Sequence, residues 1–153
     1  MIWAVMLAVL LGLSALGMGV GLFFFHFSLN PKRKKRRVFS ADHNAIPGLD
    51  EYARLREEAQ AWWQSVPHEA AHITARDGLR LHAHCAENPG APGRWVICCH
   101  GYTGQGRNMM GLGRRYYEAG FSVLLPDFRG HGESQGDYIG MGWHDRLDLA
   151  DWV

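Results

Sequence analysis

The 153 residues allow one ordinary domain at most, and a formal net charge of +1 conceals an uneven distribution. Six of the sixteen basic residues stand together as Lys32, Arg33, Lys34, Lys35, Arg36 and Arg37, which leaves ten basic residues against fifteen acidic ones elsewhere. That mildly acidic remainder argues against a nucleic-acid partner. Three cysteines (85, 98 and 99), odd in number and two of them adjacent, exclude a disulfide framework and lack metal-ligand spacing. Cys98 and Cys99 read as small buried hydrophobes of a strand in a reducing compartment.

Residues 2–30 contain no Asp, Glu, Lys or Arg and are dense in Leu, Val, Ile and Phe. The stretch is long enough to cross a bilayer as a tilted helix. It lacks the basic start, short apolar core and small-residue cleavage site of a signal peptide. The expected organisation is a transmembrane helix over 1–30, a polybasic juxtamembrane tether over 31–47, and a soluble portion over 48–153. The basic run follows the span at once, which predicts an external amino terminus and a cytoplasmic soluble part. On anionic headgroups it adds about 1 kcal/mol per residue. A nuclear-localisation reading of the same run is outweighed by the adjoining span. Ala15-x-x-x-Gly19 and Gly17-x-x-x-Gly21 permit close helix approach, but ordinary glycine content of a membrane helix accounts for them.

Leu49, Tyr52, Ala59, Trp62, Trp63 and Val66 fall on one helical face, with Asp50 as amino-terminal cap, Asp50 and Arg54 paired, and Pro67 as the stop. Packing on a sheet is the expected use of that stripe. Asp77-Gly78 then predicts a hairpin turn between a strand over 72–76 and a half-buried strand with Leu79, Leu81, Ala83 and Cys85 inward. His82 and His84, with His72 as a third candidate, could hold a metal on the outer face; the favoured reading is a solvated face of unliganded histidines. No metal and no cofactor is expected.

Residues 95–99 form an apolar run that leaves into His100, Gly101, Tyr102, Thr103 and Gly104, and a second run over 121–125 leaves into a loop over 127–134. Between them, residues 106–119 have helical spacing, with Met109, Leu112, Tyr116 and Ala119 inward and Gly120 as carboxyl cap. The result is a βαβ unit, and right-handed crossover places both loops at the carboxyl edge of a parallel sheet, where open α/β sheets bind ligands. A turn at that edge can aim backbone N–H groups at the oxygen that becomes negative during acyl transfer, each worth about 2.7–4 kcal/mol. Glycines 101 and 104 allow the close approach, and His100 is expected to pin the turn rather than act as base. A last helix is expected from Trp143, with Leu147, Ala150 and Val153 inward.

His100-Gly101-Tyr102-Thr103-Gly104 paired with Asp127-x-Arg129-Gly130-His131-Gly132-x-Ser134 resembles the α/β-hydrolase superfamily. The similarity is greatest to its serine aminopeptidase-like and lysophospholipase-like branch. Residues 136–145 are similar to those of bacterial members tethered by an amino-terminal membrane helix. The resemblance spans about residues 46–153. It implies an α/β fold comprising the N-terminal part of a hydrolase sheet, a β-hairpin plus βαβ, preceded by one transmembrane helix. It also implies a serine hydrolase of esters, amides or thioesters, with Tyr102 supplying an oxyanion-hole N–H from its backbone. The loop residues Asp127, Arg129, Gly130, His131, Gly132 and Ser134 support the site without proton transfer. The family nucleophile sits in G-x-S-x-G on a strand-to-helix turn, and the resemblance places nucleophile, acid, base and lid beyond Val153. The chain is therefore expected to be an N-terminal fragment, poorly folded and inactive alone. Gly132-Glu133-Ser134-Gln135-Gly136 matches that string, but lacks the strand before it and the helix after it. Expected partners are the bilayer and a small acyl or peptide substrate; the alternative is a non-catalytic membrane-tethered module that binds a ligand or partner.

Overall fold

The computed structural model describes residues 1–31, 49–90 and 92–153. The basic run and nearly all of the tether lie outside the described residues. Helix α1 (Ile2–Leu29) has 28 residues, none of them buried. With no proline to interrupt it, it extends about 42 Å at 1.5 Å per residue, long and apolar enough to cross a membrane.

Helix α2 (Leu49–Ser65) stops before Pro67, whose ring and missing N–H forbid another turn. Its stripe is core only in the second half. Ala59 and Trp63 are buried, Trp62 and Val66 pack against the same cluster, and Tyr52 stands in solvent. Asp50 lies within the first turn of a helix that begins at Leu49, so it is not the cap. Arg54 pairs with Glu58, one turn further on, at 3.5 Å.

Four strands follow: β1 (Glu69–Thr74), β2 (Arg80–Ala86), β3 (Trp95–Ile97) and β4 (Ser122–Asp127). Their order across the sheet is β1-β2-β4-β3. The hairpin turns through Gly78, held at φ +86°, and pairs Ile73 with Leu81. β2 and β4 are antiparallel with His82 opposite Asp127, whereas β3 and β4 are parallel with Ile97 opposite Leu124. β4 is therefore central, and all six of its residues are buried. Among the described strands β3 borders β4 alone, leaving its outer edge open.

The crossover begins as a 3-10 turn (Gly106–Met109) and continues as α3 (Met110–Glu118). The tighter opening turn shifts the phase of the helix. Met110 and Gly113 are its buried positions, with Met109 and Tyr117 packed beside them, while Leu112 and Tyr116 face solvent. Glycine at 113 lets the helix rest on β4, since a Cβ there would lie 3.2 Å from a Leu125 methyl. Gly120 closes α3 as expected: at φ +85° its N–H reaches the Tyr117 carbonyl while that of Phe121 reaches Tyr116.

Other expectations are corrected by charge and by sheet order. β2 is covered on both faces, so the histidine side is not solvated: His82 is only 2% exposed, and the His84 ring meets that of Trp63. β3 ends at Ile97. Cys98 still bonds to the Leu124 carbonyl, but Cys99 is exposed, not buried. Helix α4 (Asp145–Asp151) starts two residues late and turns Asp145 and Asp148 inward, leaving Ala150 and Val153 in solvent. The buried Arg129 guanidinium draws Asp148 in, and Asp145 accepts the Gly142 N–H.

Candidate functional site

The carboxyl ends of β3 and β4 lie side by side because the two strands are parallel, which brings both glycine-rich loops to one rim. Past β3, His100 is 5% exposed and uses both ring nitrogens. Its Nε2 accepts the Phe128 N–H at 3.1 Å, and its Nδ1, which must then carry the proton, donates to the Gly101 carbonyl at 2.8 Å. The ring thus ties the β3 loop to the β4 loop and has no nitrogen left for base chemistry. Residues 101–104 close a turn in which the Gly104 N–H meets the Gly101 carbonyl at 3.0 Å and Thr103 takes φ +62°. Gly106 is forced by contact, since a Cβ would stand 2.3 Å from the Leu125 carbonyl oxygen. Tyr102 is half exposed, and its hydroxyl donates to the carbonyl of Ser28 in α1.

Asp127 is the fixed point of the second loop. One carboxylate oxygen accepts the Gly106 N–H at 2.7 Å; the other accepts the Glu133 N–H at 3.0 Å and faces His82 Nδ1 at 2.8 Å. Burial pushes its pKa up, but the amides of Glu133 and Gly106 and the His82 ring outweigh that and hold it below the usual carboxylate range. Gly132 admits no side chain, because a Cβ would lie 2.2 Å from that carboxyl group. Ser134 is a bolt: its hydroxyl donates to the Asp127 carbonyl and accepts the His82 N–H at 2.8 Å.

Arg129 is 8% exposed and grips Asp148 with two parallel bonds of 2.8 and 2.7 Å, while a third, 2.7 Å, reaches Asp77 in the hairpin turn. Hydrogen bonding to Asp148 raises its pKa further above the ordinary guanidinium value. Gly130 sits at φ +72°, and His131 packs its ring 4.8 Å from that of His100. Burial, then the nearby His100, holds the His131 imidazole below its usual range. Its Nε2 and Asp145 Oδ1 are buried atoms with no hydrogen-bond partner.

The rim thus gathers His100, Gly101, Tyr102, Thr103 and Gly104 with Asp127, Arg129, Gly130, His131, Gly132 and Ser134. Sequence reasoning placed His82 on a solvated face and gave no role to Asp145 or Asp148; the signal for Asp148 was the buried arginine that needs it, whereas Asp145 accepts the Gly142 N–H and had no such signal. His82, His84 and Asp127 offer ligand atoms within 4.8 Å of one another. However, both Asp127 oxygens and His82 Nδ1 are already engaged, which suits an orienting carboxylate better than an open metal ligand. The described serines lie in α1, at the end of α2, in β4 and in the bolt at 134; none stands on a strand-to-helix turn.

No family model matches the chain. A thermostable monoacylglycerol lipase of Bacillus sp. strain H-257 is 38% identical over 58 residues, which is 38% of this chain and 21% of the lipase. An esterase of Pyrococcus furiosus superposes with a TM-score of 0.50 and 31% identity, over 57% of this chain and 36% of that one. An α/β hydrolase of Novosphingobium aromaticivorans superposes at 0.45 and 30% identity, over 56% and 30%. The chain spans about a fifth of the curated relative's length and about a third of the esterase's. The lipase and esterase likenesses relate the chain to the α/β-hydrolase superfamily, with its four described strands and their helices forming part of that fold.

Proposed function

We propose that the chain carries the oxyanion-loop half of a membrane-anchored serine hydrolase acting on ester, amide or thioester bonds. The reading rests on one observation above others. The 101–104 turn, pinned by His100, stands at the rim beside the open edge of β3. A further parallel strand on that edge would deliver its carboxyl end, and a serine on the turn after it, next to Tyr102. The Tyr102 peptide N–H is the first oxyanion donor, and the amide following the nucleophile is the second. Glycines 101 and 104 keep side chains away from the reacting carbonyl, while His100 and the loop from Asp127 to Ser134 hold the turn in place. The lipase and esterase likenesses favour an ester. The loop motifs favour the serine aminopeptidase-like and lysophospholipase-like branch. α1 is the anchor, with its amino terminus outside and Lys32 to Arg37 on anionic cytoplasmic headgroups. A cysteine placed at position 40 that reacts only from the cytoplasmic side tests that orientation.

Fluorophosphonate labelling and turnover of a generic nitrophenyl ester test the chemistry. Residues 1–153 alone should neither label nor turn over. A polypeptide continued along the reading frame past Val153 should contain an apolar strand, then G-x-S-x-G, and should do both. The Ser134→Ala variant of that longer polypeptide should label undiminished. Labelling of residues 1–153 that disappears in Ser134→Ala would overturn this assignment. A genuine stop codon in an intact gene would favour the non-catalytic binding module.

A further inference from the structure

The last carbonyls of a helix have no partner within it, and two of those of α1 find theirs in the loops beside it. The Ser28 carbonyl accepts the Tyr102 hydroxyl, and the Leu29 carbonyl accepts the Ile139 N–H at 2.9 Å. The Phe25 ring packs 5.2 Å from that of Tyr138, with the His26 ring 5.8 Å away. Both rim segments therefore cap the carboxyl end of α1. A helix of about 42 Å exceeds the roughly 30 Å hydrocarbon layer, so its ends reach the headgroups. Groups within one hydrogen bond of Ser28 and Leu29 lie at that depth too.

Side chains projecting from the same loop suit that layer. Met141 and Trp143 are 65% and 69% exposed, Tyr138 is partly exposed, and Met141 is held outward at φ +50°. Aromatic residues with a polar edge concentrate at membrane interfaces. The Arg146 guanidinium lies 3.9 Å over the Trp143 ring, placing a cation where phosphates would be. We infer that Tyr102 and the loop over 138–143 sit in the headgroup layer, so that the turn at Tyr102 opens onto the membrane surface. The inference rests on the reading of α1 as a membrane span.

The test uses the full chain in phospholipid nanodiscs containing anionic lipid, in a Cys99→Ser background because Cys85 and Cys98 are buried. Nitroxide labels go on Trp143→Cys, on Leu13→Cys within α1, and on Glu87→Cys at the opposite edge of the sheet. Met141→Cys replaces the first if that variant fails to fold. Relative accessibility to oxygen and to a water-soluble nickel chelate reports depth. The expected ratio at 143 is several-fold above that at 87 and below that at 13. A ratio at 143 equal to that at 87, with 13 deep, overturns the inference and leaves the anchor standing. An aqueous label at 13 overturns the anchor reading, and the inference with it.

Discussion

Asp127 illustrates how one carboxylate can organise a rim. It joins the start of the crossover, the far side of its own loop and a histidine directly opposite on the neighbouring strand, so each of those groups depends on the others being in place. The histidines around it answer to pH. Burial, then the charge of His82, holds the His84 imidazole below its ordinary range, and His131 is held down in the same direction. Both rings take up a proton less readily in the fold than in the unfolded chain, where they titrate near the ordinary value of about 6.5. The folded state binds fewer protons over that interval, so stability rises with pH. Their contribution is complete above about pH 6.5 and is lost as pH falls through the lower folded values. Thermal unfolding should therefore shift to lower temperature between about pH 7.5 and about pH 5.5, and His84→Gln should flatten that shift. An unchanged slope in the variant would show that His84 does not carry the effect.

Secondary structure was largely legible because its signals are local: Pro67 after α2, Asp77-Gly78 in the hairpin, and Gly120 closing α3. What the pattern could not supply was which faces the sheet covers. Alternation along β2 made His82 look solvated, but Asp127 and Ser134 of the β4 end hold it and Trp63 of α2 meets His84 on the same face, contacts that tertiary packing supplies rather than local sequence. Likewise α4 turns Asp148 inward because Arg129, in the loop after β4, waits in the interior. That guanidinium joins three elements: the hairpin turn, the loop after β4 and α4. Arg129→Met leaves Asp148 buried without its partner and should cost about 3–5 kcal/mol, read by denaturant unfolding in detergent. Combining it with Asp148→Leu should recover most of the loss, since an apolar pair can replace a buried ion pair at little cost. If the double variant is no more stable than the single, the interaction is not the source of the destabilisation.

Across the whole molecule the least settled boundary is the outer edge of β3, an unpaired ladder in an apolar strand and therefore a template for association. The site was legible up to this edge, because its loop motifs are local; among the described strands none pairs with the outer side of β3, and strand pairing is not a local signal. The ladder itself suggests how to probe it. The Ser122 N–H bonds to the Arg94 carbonyl, and the Cys98 N–H bonds to the Leu124 carbonyl. Alternate residues of a strand point their amides to opposite sides, so Val96 shares the inward direction of Cys98, and Ile97 points its N–H out over the open edge. Proline is tolerated in edge strands when the N–H it removes faces away from the partner. Ile97→Pro should therefore leave β4 paired and the chain folded, while suppressing self-association of the purified protein on light scattering. Val96→Pro removes a bond to the central strand and should unfold the sheet. In the longer polypeptide, Ile97→Pro should also abolish fluorophosphonate labelling, because a strand that cannot dock on β3 cannot carry its serine to Tyr102. Labelling that survives Ile97→Pro would place the nucleophile somewhere other than on a strand beside β3.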